Sequence, residues 1–349
     1  DVTLSNATVE ENKAAGTVVG DLEAVFPPEP LADSGGAKLF PGGSFVMGLA
    51  GEADATPHAV EVSPFRMDKN EVSVDLWTEV RNWGLANGYS DLLSGNPTQV
   101  SGDRPAHYVH WYDAVKWCNA RSEKEGLRPV YYLEAGHANV YRTGNVDLSN
   151  AMVDWKANGY RLPTEAEWEF AARGGLAEQL YPWGDALDHD HANYDGLEGA
   201  DQWQHLSPVG SFPPNGYGLS DVSGNVWEWT WDGYAADWYG RAEASAKDPK
   251  GPDGASKRVV RGGSWFSGQH SFDNFSSLKI GKRFSRDPGD LENYLANYGF
   301  RCARSLALPA NVMPGGSFTM GLAGETDAAP HEGKVSPFRI SGKEVSVDE

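Results

Sequence analysis

The chain has 349 residues, a formal net charge of −20 and 40% hydrophobic residues. That length holds one large domain with flanking pieces, and the apolar share suffices for a packed core. The charge speaks against nucleic acid as a partner, because the phosphate backbone would be repelled. No apolar run approaches the roughly 18 residues of a membrane span. An acidic surplus serves solubility or, more specifically, calcium binding by carboxylates. Thirteen Trp, 14 Tyr and 41 Gly point to a loop-rich globule held by aromatic packing, not to a helical bundle.

In chain order, Val2-Thr3-Leu4-Ser5-Asn6-Ala7 and Ala15-Gly16-Thr17-Val18-Val19-Gly20 show β alternation with a Gly turn. The stretch resembles the opening strands of bacterial cadherin-like repeats; taken without that resemblance it is a plain edge strand. A linker follows at Pro27-Pro28-Glu29-Pro30. Helices are predicted near 75–87, near 112–125 from Tyr112, and after Pro163. The third carries Thr164 as N-cap and Glu167 three positions on, a capping box, and should end at Gly174-Gly175. Arg258-Val259-Val260-Arg261 reads as a short strand. Residues 41 to 73 recur at 314 to 346 with an offset of 273: Pro41-Gly42-Gly43-Ser44-Phe45 returns as Pro314-Gly315-Gly316-Ser317-Phe318, and Ser63-Pro64-Phe65-Arg66 as Ser336-Pro337-Phe338-Arg339. The expected organisation is a β or linker fragment over 1–30, a main domain over 31–308, and the opening of a second copy over 309–349. Since Asp1 is not an initiator Met, the chain reads as a processed or excised piece of a tandem protein. The 309–349 segment can also dock on a neighbouring protomer.

A series of motifs then comes in order: Gly43-Ser44-Phe45-Val46-Met47-Gly48, Pro105-Ala106-His107-Tyr108-Val109-His110-Trp111, Tyr160-Arg161-Leu162-Pro163-Thr164-Glu165-Ala166-Glu167-Trp168, Gly224-Asn225-Val226-Trp227-Glu228-Trp229, Arg261-Gly262-Gly263-Ser264-Trp265 and Gly299-Phe300-Arg301-Cys302. Together they resemble the sulfatase-modifying-factor family, whose name-giving members convert a sulfatase cysteine to formylglycine. The resemblance implies an α+β, formylglycine-generating-enzyme (C-type-lectin-like) fold with little regular secondary structure, short strands and about three helices. It also implies that the chemistry is gone. The family's two catalytic thiols fall on Ser267 and Phe272. A thiolate is both copper ligand and nucleophile there, and a hydroxyl or a phenyl ring replaces neither role. No copper is therefore expected.

Cysteine counting leaves Cys118 and Cys302 open between a bridge and two free thiols. The resemblance implies a disulfide between them, and with it an oxidising, extracellular or cell-surface location. The family's other bridge position holds Ala172. Two calcium sites are also implied by the resemblance. Asn193, Tyr194, Asp201 and Trp203 form one, and Asp221, Gly224, Val226 and Glu228 the other. Mixed carboxylate and carbonyl oxygens from a Gly-containing loop suit this hard, flexible cation on physical grounds too. Glu71 falls on a further metal-associated position. Asp188-His189-Asp190-His191 reads as a solvated loop before a transition-metal site, and His270-Ser271 lacks an acid partner for hydrolysis. His107 and His110 read as packed. Trp265, Ser267, His270, Asp273 and Asn274 are the expected ligand surface.

The function expected is a non-catalytic, calcium-stabilised extracellular structural or ligand-binding module. Its partner would be a glycan, a peptide or a neighbouring subunit, with self-assembly into fibres or layers through 309–349. The alternative is a metal-dependent oxidoreductase of the formylglycine-generating type, or a new activity in the same pocket.

Overall fold

The computed structural model describes residues 36–93, 102–269, 271, 274–289 and 297–306 in full, and the strand backbone at 2–4, 22–24, 312–313, 316–320, 331–335 and 338–339. Its strands are β1 (Val2–Leu4), β2 (Leu22–Ala24), β3 (Ala37–Phe40), β4 (Gly43–Met47), β5 (His58–Val62), β6 (Phe65–Asp68), β7 (Tyr160–Arg161), β8 (Trp227–Gly233), β9 (Arg258–Arg261), β10 (Phe284–Arg286), β11 (Tyr298–Gly299), β12 (Ala303–Ser305), β13 (Val312–Met313), β14 (Gly316–Met320), β15 (His331–Val335) and β16 (Phe338–Arg339). The helices are α1 (Val74–Ala86), α2 (Trp111–Lys124) and α3 (Glu165–Ala172). These three helices and short strands match the predicted α+β class. Among the described residues no helix is long and apolar enough to cross a membrane.

Residues 35–306 form one compact unit, and residues 1–34 with 307–349 another. In the larger unit two four-stranded sheets run β3-β6-β12-β7 and β10-β9-β8-β11, with β4-β5 as a separate hairpin. Pairing is antiparallel except between β11 and β8. Gly42 enters the hairpin at φ +69°, and a Cβ there would meet the Val62 carbonyl oxygen at 2.4 Å, so only glycine fits. In the smaller unit β1 pairs with β2, β13 with β16 and β14 with β15. Gly316 stands opposite Val335 and Met320 opposite His331, as Gly43 stands opposite Val62 and Met47 opposite His58. Val312 likewise faces Arg339 as Leu39 faces Arg66. The repeated sequence thus pairs its strands in the same register in both copies.

The helices follow their local signals. Ser73 caps α1 by accepting from the Leu76 N–H at 3.3 Å. Thr164 and Glu167 form the predicted capping box at α3, which ends at Ala172, two residues before Gly174 at φ +58°. Helix α2 begins at Trp111, one residue before the predicted start, and buries 12 of its 14 residues. It lies inside the domain, where Trp77 and Trp117 stack with centroids 5.6 Å apart.

Strand β8 is buried along its whole length. Trp227, Trp229 and Trp231 enter the aromatic core, and the intervening residues each meet a polar partner across the strand's other face. Glu228 pairs with Arg301, Thr230 donates to the Val259 carbonyl, and Asp232 accepts the Glu165 N–H at the start of α3. Burial, reinforced by the Glu165 charge, pushes the Asp232 carboxyl up from 3.8 to about 7. The folded state therefore holds this proton more tightly than the unfolded one. Asp232 takes nothing from stability below about pH 4 and takes its full toll above about pH 7. Asp232→Asn keeps an acceptor for the Glu165 N–H. Urea titrations of the variant should show the stability loss between pH 4 and pH 7 flattened relative to wild type; an unchanged slope would place the ionising group elsewhere.

Candidate functional site

Ser267 is 2% exposed, beneath the surface on which the sequence had placed it as a ligand contact. The loop at Gly263 covers it: a Cβ on Gly263 would come within 3.0 Å of the Ser267 hydroxyl. That hydroxyl accepts from the Ser264 N–H at 3.0 Å and from the Ser277 hydroxyl at 2.7 Å. Among the described residues no histidine hydrogen-bonds to it, and nothing there would draw off its proton. A buried hydroxyl held by two donors serves as a packing element here. Trp265 and Asn274 do reach the surface. His270, Phe272 and Asp273 lie outside the described residues.

The loop carrying Asn193, Tyr194, Asp201 and Trp203 folds back on itself. Asp201 accepts the Tyr194 N–H at 3.3 Å and the Trp203 N–H at 3.2 Å. The Asn193 amide donates to the His205 carbonyl at 2.7 Å, while its Oδ1 is buried with no hydrogen-bond partner. A buried amide oxygen left unmatched is costly unless something binds it. Burial also raises the Asp201 carboxyl above its ordinary range.

The second loop shows the same signature more strongly. Asp221 sits at φ +59° and accepts the Gly210 N–H at 2.5 Å through Oδ2, while its Oδ1 is buried without a partner. Glu71 accepts from the Asn225 amide at 2.7 Å and from the Val226 N–H at 3.2 Å. Both oxygens of Glu228 are taken by the Arg301 guanidinium, at 2.7 Å each, and one also by the Trp168 indole at 2.9 Å. Burial, then the charges of Asp221 and Glu228, push the Glu71 carboxyl well above its usual range, and burial pushes Asp221 up to about 6. Three buried carboxylates thus share Arg301 as their buried cation, leaving local negative charge in surplus. Among the described residues no three His, Cys, Asp or Glu side chains gather as a metal cluster. Any cation here must therefore rely on amide and backbone oxygens alongside no more than two carboxylates. The donor set of unmatched hard oxygens fits calcium. The two loops touch: Gly224 is at φ +91°, and a Cβ on it would lie 2.1 Å from the Asn193 carbonyl oxygen.

Cys118 and Cys302 are brought together as the resemblance implies, both buried, but they stand as two thiols with Sγ atoms 3.8 Å apart. A disulfide needs about 2.05 Å, so the side chains would have to rotate toward each other to close it. His189 and His191 are engaged separately, by Asp201 at 3.3 Å and Asp188 at 2.6 Å. They do not converge on one point. His107 is buried, with burial lowering its pKa, and His110 lies 3.3 Å from Asp113.

Residues 23–306 match the family described as the sulfatase-modifying factor enzyme 1-like domain. The chain belongs to this family. It is 33% identical over 295 residues to the "Inactive C-alpha-formylglycine-generating enzyme 2" of Mus musculus, covering 77% of this chain and 85% of that protein. It is 32% identical over 309 residues to the "Formylglycine-generating enzyme" of Streptomyces coelicolor, covering 80% and 92%. Among solved structures, Treponema denticola variable protein 1 aligns with a TM-score of 0.59 and 30% identity, covering 77% of this chain and 94% of that one.

Within the family frame, two partners escaped sequence reading. Arg301 stands in the motif that was read only for Cys302, yet it neutralises Glu228. Glu71 was placed below the other metal candidates, yet it binds the Asn225-Val226 turn directly. For Arg301 the available signal is a charged residue inside the otherwise apolar Gly299-Phe300-Arg301-Cys302.

Proposed function

We propose that this chain is a non-catalytic, calcium-stabilised extracellular module that uses the family fold for structure or ligand binding. The observation that carries this reading is Ser267, which occupies a thiol position and is buried in a hydroxyl network. Similarity to a relative described as inactive supports it. Calcium is supported by the unmatched Asn193 and Asp221 oxygens and by the buried negative surplus. Asn193 and Asp201 side chains, with the Tyr194 and Trp203 carbonyls, would hold one ion. Asp221 and Glu228, with the Gly224 and Val226 carbonyls, would hold the other. In an oxidising compartment Cys118 and Cys302 would close into a disulfide, worth about 4–5 kcal/mol in the chain-entropy model. Residues 309–349 would open a second domain of a tandem array, in keeping with the shared strand register.

Native mass spectrometry with and without a chelator, and in the presence of copper, tests the whole reading. The expected masses contain two calcium ions and no copper, and are two mass units lighter than the dithiol. In parallel, a cysteine-containing peptide incubated with the protein and oxygen should emerge unchanged. Turnover above background would overturn the non-catalytic reading in favour of the oxidoreductase.

A further inference from the structure

Between β8, β9, β10 and β11 the larger unit holds a recess of about 330 Å³. Trp227, Phe284 and Tyr298 form its aromatic walls, and Asp54, Lys282 and Arg286 its charged ones. Trp227 meets Phe284 edge-on with centroids 5.1 Å apart. Most of the charge is already matched. Lys282 is paired with Glu52, and Arg283 is locked on both oxygens of Glu165. Arg286 differs. Its Nε donates to the Tyr298 hydroxyl, its guanidinium stands 5.3 Å from the centre of that ring, and among the described residues it forms no ion pair. Asp54 accepts from the Tyr234 hydroxyl at 2.9 Å.

We propose that this recess binds a ring-sized carboxylate of the sugar-acid type, a uronate. The proposal rests on the reading of the chain as a binding module. The carboxylate would lie on Arg286, whose planar fork matches it. The ring's C–H face would lie against Phe284 and Tyr298, and its hydroxyls would reach Asp54 and Tyr234. Charge favours an anion: on a chain of net charge −20, a guanidinium that forms no ion pair among the described residues is the exception among this recess's cations. The volume accepts one ring. An acidic peptide side chain would use Arg286 but would leave the aromatic walls and the Asp54 acceptor without purpose.

The test is calorimetric or ligand-observed NMR titration of the full chain, in calcium, with glucuronate and galacturonate against glucose and galactose. Uronates should bind at least about tenfold more tightly than neutral sugars, the equivalent of one good ionic contact. Arg286→Gln should abolish that preference while leaving the melting temperature within error, since Arg286 is only half-buried. Arg286→Lys should restore part of it. Equal affinity for neutral and acidic sugars, no binding at all, an unaffected Arg286→Gln variant, or binding of tetraglutamate in place of uronates would each overturn the proposal. The cysteine-peptide assay run beside it separates the two readings: turnover with uronate binding sinks the non-catalytic reading and leaves this site standing, while neither turnover nor binding sinks this site only.

Discussion

Glu165→Gln is expected to cost about 3–5 kcal/mol of stability, the range for removing one partner from a buried ion pair. Glu165 is 1% exposed and holds Arg261 at 3.0 Å through Oε1 and Arg283 at 2.9 and 2.8 Å through both oxygens. Arg261 in turn binds Glu169 at 2.8 Å, and Glu169 binds Arg173 at 2.6 Å. The glutamine keeps the shape but removes the charge that two buried guanidiniums share, and its amide N–H groups point at donors. Denaturant titration reads the loss as a fall in midpoint at constant slope. Glu61→Gln is the control: Glu61 pairs with Lys247 at 2.8 Å, but both side chains are about half exposed, at 49% and 52%. That surface pair should contribute no more than about 1 kcal/mol. Equal losses in the two variants would mean that the buried network carries no special weight.

Removing calcium should be the second large effect. At a free concentration a thousandfold above Kd, one site adds about 4 kcal/mol to folding stability. For a domain of this size that is a shift of roughly 10 °C in Tm per site. Excess chelator should lower the midpoint in steps that Asp221→Ala and Asn193→Ala each reduce. Asp221→Ala removes the unmatched carboxylate oxygen of the second loop, and Asn193→Ala the unmatched amide oxygen of the first. Without calcium, Asp221→Asn should be stabilising or neutral, because it keeps an acceptor for the Gly210 N–H, tolerates φ +59° and relieves repulsion against Glu71. That reversal of sign is what a purely structural role would not produce. If melting is indifferent to chelator, the calcium assignment falls.

The fold was legible in the sequence to the extent that its signals are local or carried by motif. The Thr164–Glu167 capping box spans four residues, and the structure forms it as read. The β4-β5 hairpin and its counterpart at β14-β15 were set by a repeated stretch with its own turn glycines, and both copies take one register. The absence of thiols from the Gly262–Ser271 stretch was likewise a matter of reading residues. Burial was not legible. Ser267 looked like a surface hydroxyl because nothing nearby in sequence reveals that Ser277 and the Gly263 loop close over it.

By itself, then, the sequence determined the family, the helix starts to within a residue, the repeat and the absence of cysteine from the Gly262–Ser271 stretch. Only the tertiary structure decided which buried charges meet. Arg301 finds Glu228 across 73 positions, Arg283 finds Glu165 across 118, and Asn225 finds Glu71 across 154. The reason is physical. Caps and turns are satisfied by backbone groups within a few residues, so their chemistry is written next to them. A buried charge must be matched by whatever the packed sheets bring to it, and a pairing at that distance leaves no spacing rule in the chain. The unmatched oxygens of Asn193 and Asp221, which are two among several buried polar atoms without a partner, and an Arg286 guanidinium that forms no ion pair among the described residues, are visible only in the folded chain.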